Sequence, residues 1–126
     1  MLRIVKTEGA QTVSLAFKGR LDTSSAIQAE QAVRGSLGAG DKNLILDLTD
    51  MDYISSAGLR VLLLANKYLK QKAGDLALCG LQPNVLEVLN ISGFTPLFLI
   101  AATPDAAKGG KSADVQYFQD VRLQTA

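Results

Sequence analysis

Three consecutive blocks constrain this chain more than anything else in it: NLILDL at 43–48, SAGLRVLLLANKYLKQK at 56–72 and DLALCGL at 75–81. The first is apolar almost without a break, the pattern of a strand covered on both faces. The second repeats leucines at helical intervals, which directs Leu59, Leu62, Leu63 and Leu69 inward and ends the helix near Gly74. Lys67, Lys70 and Lys72 fall in its last half, where cations meet the negative end of the helix dipole. The third block is another short apolar strand. Strand, helix and strand in that order make a right-handed crossover between parallel neighbours.

The rest of the chain extends this unit. LRIVK at 2–6 and TVSLAF at 12–17 alternate, placing Val13, Leu15 and Phe17 on one face of an antiparallel pair at a sheet edge. A helix is expected over about 24–37, with Ala26, Ala29, Val33 and Leu37 at helical spacing, Ser25 and Gln28 as a capping box, and Gly38 as its stop. PNVLEVLNISGF gives a short helix with Pro83 in its first turn and Gly93 at its end, and LFLIAA at 97–102 gives a last strand. The order β-β-α-β-α-β-α-β implies an α/β domain with a mixed, mostly parallel sheet and one antiparallel edge. It occupies 1–102. The extension 103–126 opens on linker-like TPDAAKGGKSAD, then places Val115, Phe118 and Val121 at the spacing of one short amphipathic helix.

Composition removes several function classes. The chain has 126 residues with 13 basic and 12 acidic side chains, a formal net charge of +1, and no basic run. Nucleic acid is therefore not an expected partner. No segment reaches the roughly 20 apolar residues of a membrane span, and the N-terminal residues lack the apolar centre of a signal peptide. The single cysteine, Cys79, cannot close an internal disulfide and fits the core as a small hydrophobe, so a cytoplasmic location is expected. There is no histidine. That takes away the commonest general base and metal ligand, so no catalytic residues, metal or cofactor are expected. Lys108-Gly-Gly-Lys111 lacks the spacing of a phosphate-binding loop.

The segment MDYISSAGLRVLLL remains. Two hydroxyls precede two small residues at a helix start, although Gly there costs roughly 1 kcal/mol relative to Ala. Ser is a preferred N-cap, which accounts for one hydroxyl. The other stands outside the backbone ladder, on the loop that follows a strand's carboxyl end. Ala57 and Gly58 then read as a low surface beside it, although Gly58 equally suits close packing of helix on sheet.

These residues carry a resemblance. LILDLTDMDYISSAGLRVLLLANKYLK, preceded by FKGRLDTSSA and followed by LCGLQPNVLEVLNISGFTPLFLI, is similar to a STAS domain of the anti-sigma factor antagonist family over roughly residues 2–101. The G-x-L-D turn from Gly19 to Asp22, the strand ending in Asp, the serine-containing helix start and the late V-L-x-x-x-G-F segment occur in the family's order. The resemblance implies a phosphorylation-switched binding protein. Unphosphorylated, such a protein sequesters an anti-sigma factor that is also a serine kinase; a metal-dependent serine phosphatase resets it. The acceptor falls at Ser56, with Ser55 as the alternative. Where the family commonly has Asp-Ser-Ser-Gly, Ser55 replaces the Asp and Ala57 the second Ser.

The partner surface implied comprises Asp22, Thr23, Ser55, Ala57, Gly58, Arg60, Leu64 and Lys67. On residue type alone, Asp22 is equally a cap for the next helix, Asp47 a strand-end residue that orients its loop, and Arg60 and Lys67 solvated cations. Two other readings stand beside the first. One keeps the fold in a partner-switching or transport-associated complex without a sigma factor. The other is a small enzyme with a Ser56 nucleophile, which would lack a histidine base.

Overall fold

The computed structural model describes residues 1–9, 12–38 and 40–103. Strands β1 (Leu2–Gly9) and β2 (Thr12–Leu21) form the antiparallel edge pair, with Leu2 opposite Gly19 and Gly9 opposite Thr12. Helix α1 (Ala26–Ser36) leads to β3 (Asn43–Asp47), which lies parallel to β2. Helix α2 (Ser56–Gln71) crosses to β5 (Asp75–Cys79), parallel to β3. Helix α3 (Pro83–Ile91) and a single 3-10 turn over Thr95–Leu97 lead to β6 (Leu99–Ala101), parallel to β5. The main path of the sheet is β1-β2-β3-β5-β6. The expected α/β class, the antiparallel edge and the three helices are all present.

One strand was not legible in the sequence. β4 (Met51–Ile54) lies off the main path, parallel to the far end of β2. It pairs Gly19 with Met51, Arg20 with Tyr53 and Leu21 with Ile54, across a register shift between Gly19 and Arg20. Gly19 sits there with φ +109°, a conformation open to glycine and costly for other residues. Boundaries differ too. β1 and β2 run longer than expected, and the last strand is three residues rather than six because Thr95–Leu97 coils first.

Side-chain alternation divides the sheet into two faces. Val13, Leu15 and Phe17 of β2, Leu44 and Leu46 of β3, and Leu76 and Leu78 of β5 join the main core with the buried apolar residues of all three helices. Each leucine sealed there contributes about 1.5–3 kcal/mol by leaving water. The opposite face carries a smaller cluster of Ile45, Ala77, Cys79 and Ala101. In α2, Leu59, Leu62 and Leu69 are buried as expected, joined by Val61 and Ala65, whereas Leu63 is only half-buried. Apart from Thr103, the extension 103–126 and its expected short helix lie outside the described residues.

Candidate functional site

Two chain turns meet where β2 and β4 end. β4 anchors itself by Met51 and Ile54, both buried, while Asp52 and Tyr53 face out. Ser55 follows in extended conformation and takes the N-cap position of α2. Its hydroxyl accepts a hydrogen bond from the Gly58 N–H at 3.3 Å, and its carbonyl accepts from the Leu59 N–H at 2.9 Å. Its own N–H donates to the Leu21 carbonyl at 3.0 Å, which ties the helix start to the end of β2. Every polar group of Ser55 is thus engaged. Ser55→Ala is expected to cost about 1 kcal/mol of stability, the usual worth of an N-cap, read as a shift in the denaturation midpoint.

Ser56 is the first helical residue and is exposed, and its hydroxyl makes no hydrogen bond among the described residues. At about 100° per residue, Arg60 and Lys67 lie within about 40° of it along the helix. Both are exposed, and neither forms an ion pair among the described residues. A stripe of one hydroxyl and two unpaired cations therefore runs down the outer face of α2, beginning at the positive end of the helix dipole.

The structure rearranges the other expected partner residues. Gly58 is not on the surface: it is buried, and a β-carbon there would sit 2.6 Å from the Leu21 carbonyl oxygen and 2.8 Å from Ile54 Cγ1. Its small size lets α2 lie against β2, and it falls about 200° from Ser56 around the helix. Ala57 is half-buried on the flank. Leu64, also half-buried, turns toward α1, where it lines a shallow groove with Val33, Arg34, Val61 and Tyr68. Leu63 is the leucine nearest the Ser56 stripe, about 20° off its line.

Asp22 and Thr23 form the adjoining turn. An Asp22 carboxylate oxygen accepts from the Ser24 hydroxyl at 2.7 Å, the Ser24 N–H at 3.0 Å and the Ser25 N–H at 3.3 Å. The Ser24 hydroxyl, more than the other donors, holds the carboxyl below its ordinary range against a smaller opposing effect of burial. The carboxylate thus organises the turn before α1, while Thr23 stays exposed. The expected capping box is absent. Ser25 is buried and donates its hydroxyl to the Arg20 carbonyl at 2.9 Å, and Gln28 reaches the Leu2 carbonyl at 3.2 Å. Asp47 orients its loop as expected, accepting from the Thr49 N–H and hydroxyl.

Sequence reasoning missed two residues that frame this turn. The Arg20 guanidinium lies 4.0 Å from the Tyr53 ring centroid, and its Nε is 3.6 Å from an Asp22 carboxylate oxygen. Such a stacked cation is worth about 0.5–1 kcal/mol at an exposed site and fixes the side chain's direction. The only signal was the register of β2 with β4. Ile27, at 71% exposure in the first turn of α1, was missed as well, because it falls outside that helix's apolar repeat. Among the described residues no cluster of His, Cys, Asp and Glu could hold a metal ion, and no helix is long and apolar enough to cross a membrane.

A protein-family model described as the STAS domain matches residues 2–107. The chain belongs to the STAS domain family. Within it, the chain is 44% identical over 91 residues to a protein named as anti-sigma factor antagonist BtrV, from Bordetella bronchiseptica. That match covers 72% of this chain and 78% of the relative, and places this STAS domain in the anti-sigma factor antagonist family. The fold agrees. A crystal structure named as an anti-sigma factor antagonist from Thermotoga maritima superposes with TM-score 0.77 at 22% identity, covering 82% of this chain and 90% of that one. The Bacillus cell fate determinant SpoIIAA in its phosphorylated form gives TM-score 0.57 at 20% identity, over 84% and 96% of the two chains. This STAS domain thus comes from a family of regulatory binding proteins.

Proposed function

We propose that this STAS domain is an anti-sigma factor antagonist switched by phosphorylation of Ser56. Unmodified, it binds an anti-sigma factor that is also a serine kinase and so releases the sigma factor. In that complex the Ser56 oxygen attacks the γ-phosphoryl of ATP held by the kinase. The new O–P bond forms as the bond to ADP breaks, and the hydroxyl proton passes to the kinase. A metal-dependent phosphatase hydrolyses the ester and restores binding.

One observation carries this reading: of the two adjacent serines, Ser55 is engaged by its backbone neighbours and Ser56 is exposed and unbonded among the described residues. The electrostatics support it. A phosphate adds about −1.5 to −2 charges. In the free domain the N-terminus of α2 and Arg60, one turn along, favour that anion. Exposed Asp50 and Asp52 oppose it by about 1 kcal/mol per neighbour at short range. Buried against a partner without a prepared cation, the same dianion costs several kcal/mol to desolvate. The modified domain therefore stays folded and lets go.

Incubation with the cognate kinase and ATP, followed by peptide mass spectrometry, is the direct test. Phosphate is expected on Ser56, and Ser56→Ala should abolish incorporation while Ser55→Ala preserves it. Phosphate on neither serine refutes the acceptor assignment. Capture of the native partner that recovers no kinase of this type moves the domain to the non-sigma reading.

A further inference from the structure

Helix α2 carries cations on its outer face and no acid of its own to pair with them: neither aspartate nor glutamate occurs in Ser56–Gln71. The positions three and four residues to either side of Arg60 are Ser56, Ala57, Leu63 and Leu64. Arg60 therefore has no acidic neighbour at the spacing where ion pairs form along a helix. It is exposed, and among the described residues it makes neither a hydrogen bond nor an ion pair. Arg20 and Arg34 differ, each with a carboxylate oxygen close by, at 3.6 Å from Asp22 and 3.4 Å from Glu30. The five N–H donors of the Arg60 guanidinium are unspent.

Long side chains on a helix lean toward its N-terminus. Arg60 thus leans back toward the turn that begins with Ser56, about 6 Å away along the axis. Lys67 stands about 16 Å from Ser56 on the same stripe, out of reach of a group there. Only one of the two cations can meet an anion at position 56. On the reading that Ser56 takes the phosphate, we infer that Arg60 serves both states of the switch. In the unmodified domain it binds a carboxylate of the partner alongside Lys67; once Ser56 is phosphorylated, the same guanidinium turns back and pairs with that phosphate. Modification then does two things: it sets a dianion in the interface and withdraws a cation that the partner uses. The partner this fits is a protein surface whose carboxylates meet Arg60 and Lys67, about 10 Å apart along α2.

The full chain with phosphoserine encoded at position 56 tests the internal pair without a kinase. Its phosphorus resonance should titrate roughly 0.5 pH units lower than in Arg60→Gln, because a nearby guanidinium favours the doubly charged phosphate. The carboxylates of Asp22, Asp50 and Asp52 are common to both proteins, and Lys67→Gln should leave the midpoint in place. Coincident titrations in the parent and Arg60→Gln overturn the inference while leaving the acceptor assignment intact. Against the kinase that modifies Ser56, Arg60→Gln should weaken the unmodified domain roughly tenfold and shrink the further loss on phosphorylation roughly threefold. Lys67→Gln should weaken both forms alike. A phosphorylation loss of equal size in the parent and Arg60→Gln also overturns the inference. Phosphate on neither serine after incubation with kinase and ATP is a separate failure, which removes the reading beneath it.

Discussion

Ser56→Asp is expected to weaken binding to the proposed anti-sigma kinase partner by about a hundredfold, and Ser56→Ala to leave it nearly intact. The expectation follows from where the charge sits. An aspartate at the first residue of α2 gains from the helix dipole in the free domain, by about 0.3–1 kcal/mol, so the variant should melt no lower than its parent. In the complex that carboxylate is stripped of water with no cation placed to receive it, at a cost of several kcal/mol. Each 1.4 kcal/mol is a factor of ten. Stability and affinity thus move in opposite senses, which separates a lost interface from a damaged fold. Calorimetric titration of both variants, beside their melting curves, measures the pair. Equal affinities would remove the switch from position 56, whatever the site of phosphate.

Gly58→Ala lowers stability by about 2 kcal/mol even though alanine is the better helix former. The methyl group would stand 2.6 Å from the Leu21 carbonyl oxygen, 2.8 Å from Ile54 Cγ1 and 2.9 Å from Leu21 Cγ. The first of these is backbone, fixed at the end of β2, and accepts the Ser55 N–H. Relieving the overlap means lifting the start of α2 away from the sheet. Overpacking of this kind costs typically 1–3 kcal/mol, and weakening the Ser55–Leu21 bond adds about 1 kcal/mol. Gain in helix propensity returns about 1 kcal/mol. For a domain of this size the melting point should fall by about 10 °C. Because the displaced element carries Ser56, kinase binding should weaken even well below that temperature. A variant melting at or above its parent would show that the gap between α2 and β2 is wider than described.

The sequence made some of this plain and hid the rest for physical reasons. α2 was legible because its leucines repeat from Leu59 to Leu69, through about three turns, and β3 because its apolar run has no other use in a chain of this length. β4 was not. Its four residues place two outward-facing ones, Asp52 and Tyr53, between buried Met51 and Ile54, so the segment reads as a lead into the helix. Losing β4 also hid the Arg20–Tyr53 stack, which exists only through that strand's register. Ser25 and Gln28 have the right spacing for a capping box, but spacing does not show that Ser25 is buried and that its hydroxyl turns back to Arg20. Gly58 stood between a surface reading and a packing reading for a different reason. Residue size fixes how near something comes, not whether it comes from outside or from the sheet beneath. The half-turn separating Gly58 from Ser56 held that answer. Ser56 is proposed from its place in an ordered motif, and what the structure adds is the engagement of its neighbour.

β2 is shared between two partners, with Thr12–Ala16 against β3 and Gly19–Leu21 against β4, and the break at Gly19 and Arg20 lies between them. β4 is thus a side branch rather than a member of the main row. A load applied at the start of α2 runs down this short branch into the tip of β2, through the Ser55 N–H that donates to the Leu21 carbonyl. It reaches the far edge by a second route, because Asn84 of α3 donates to the Asp52 carbonyl and Asn66 of α2 donates to the Leu97 carbonyl just before β6. A fusion or attached module carried at that edge would therefore be felt at the helix that bears Ser56.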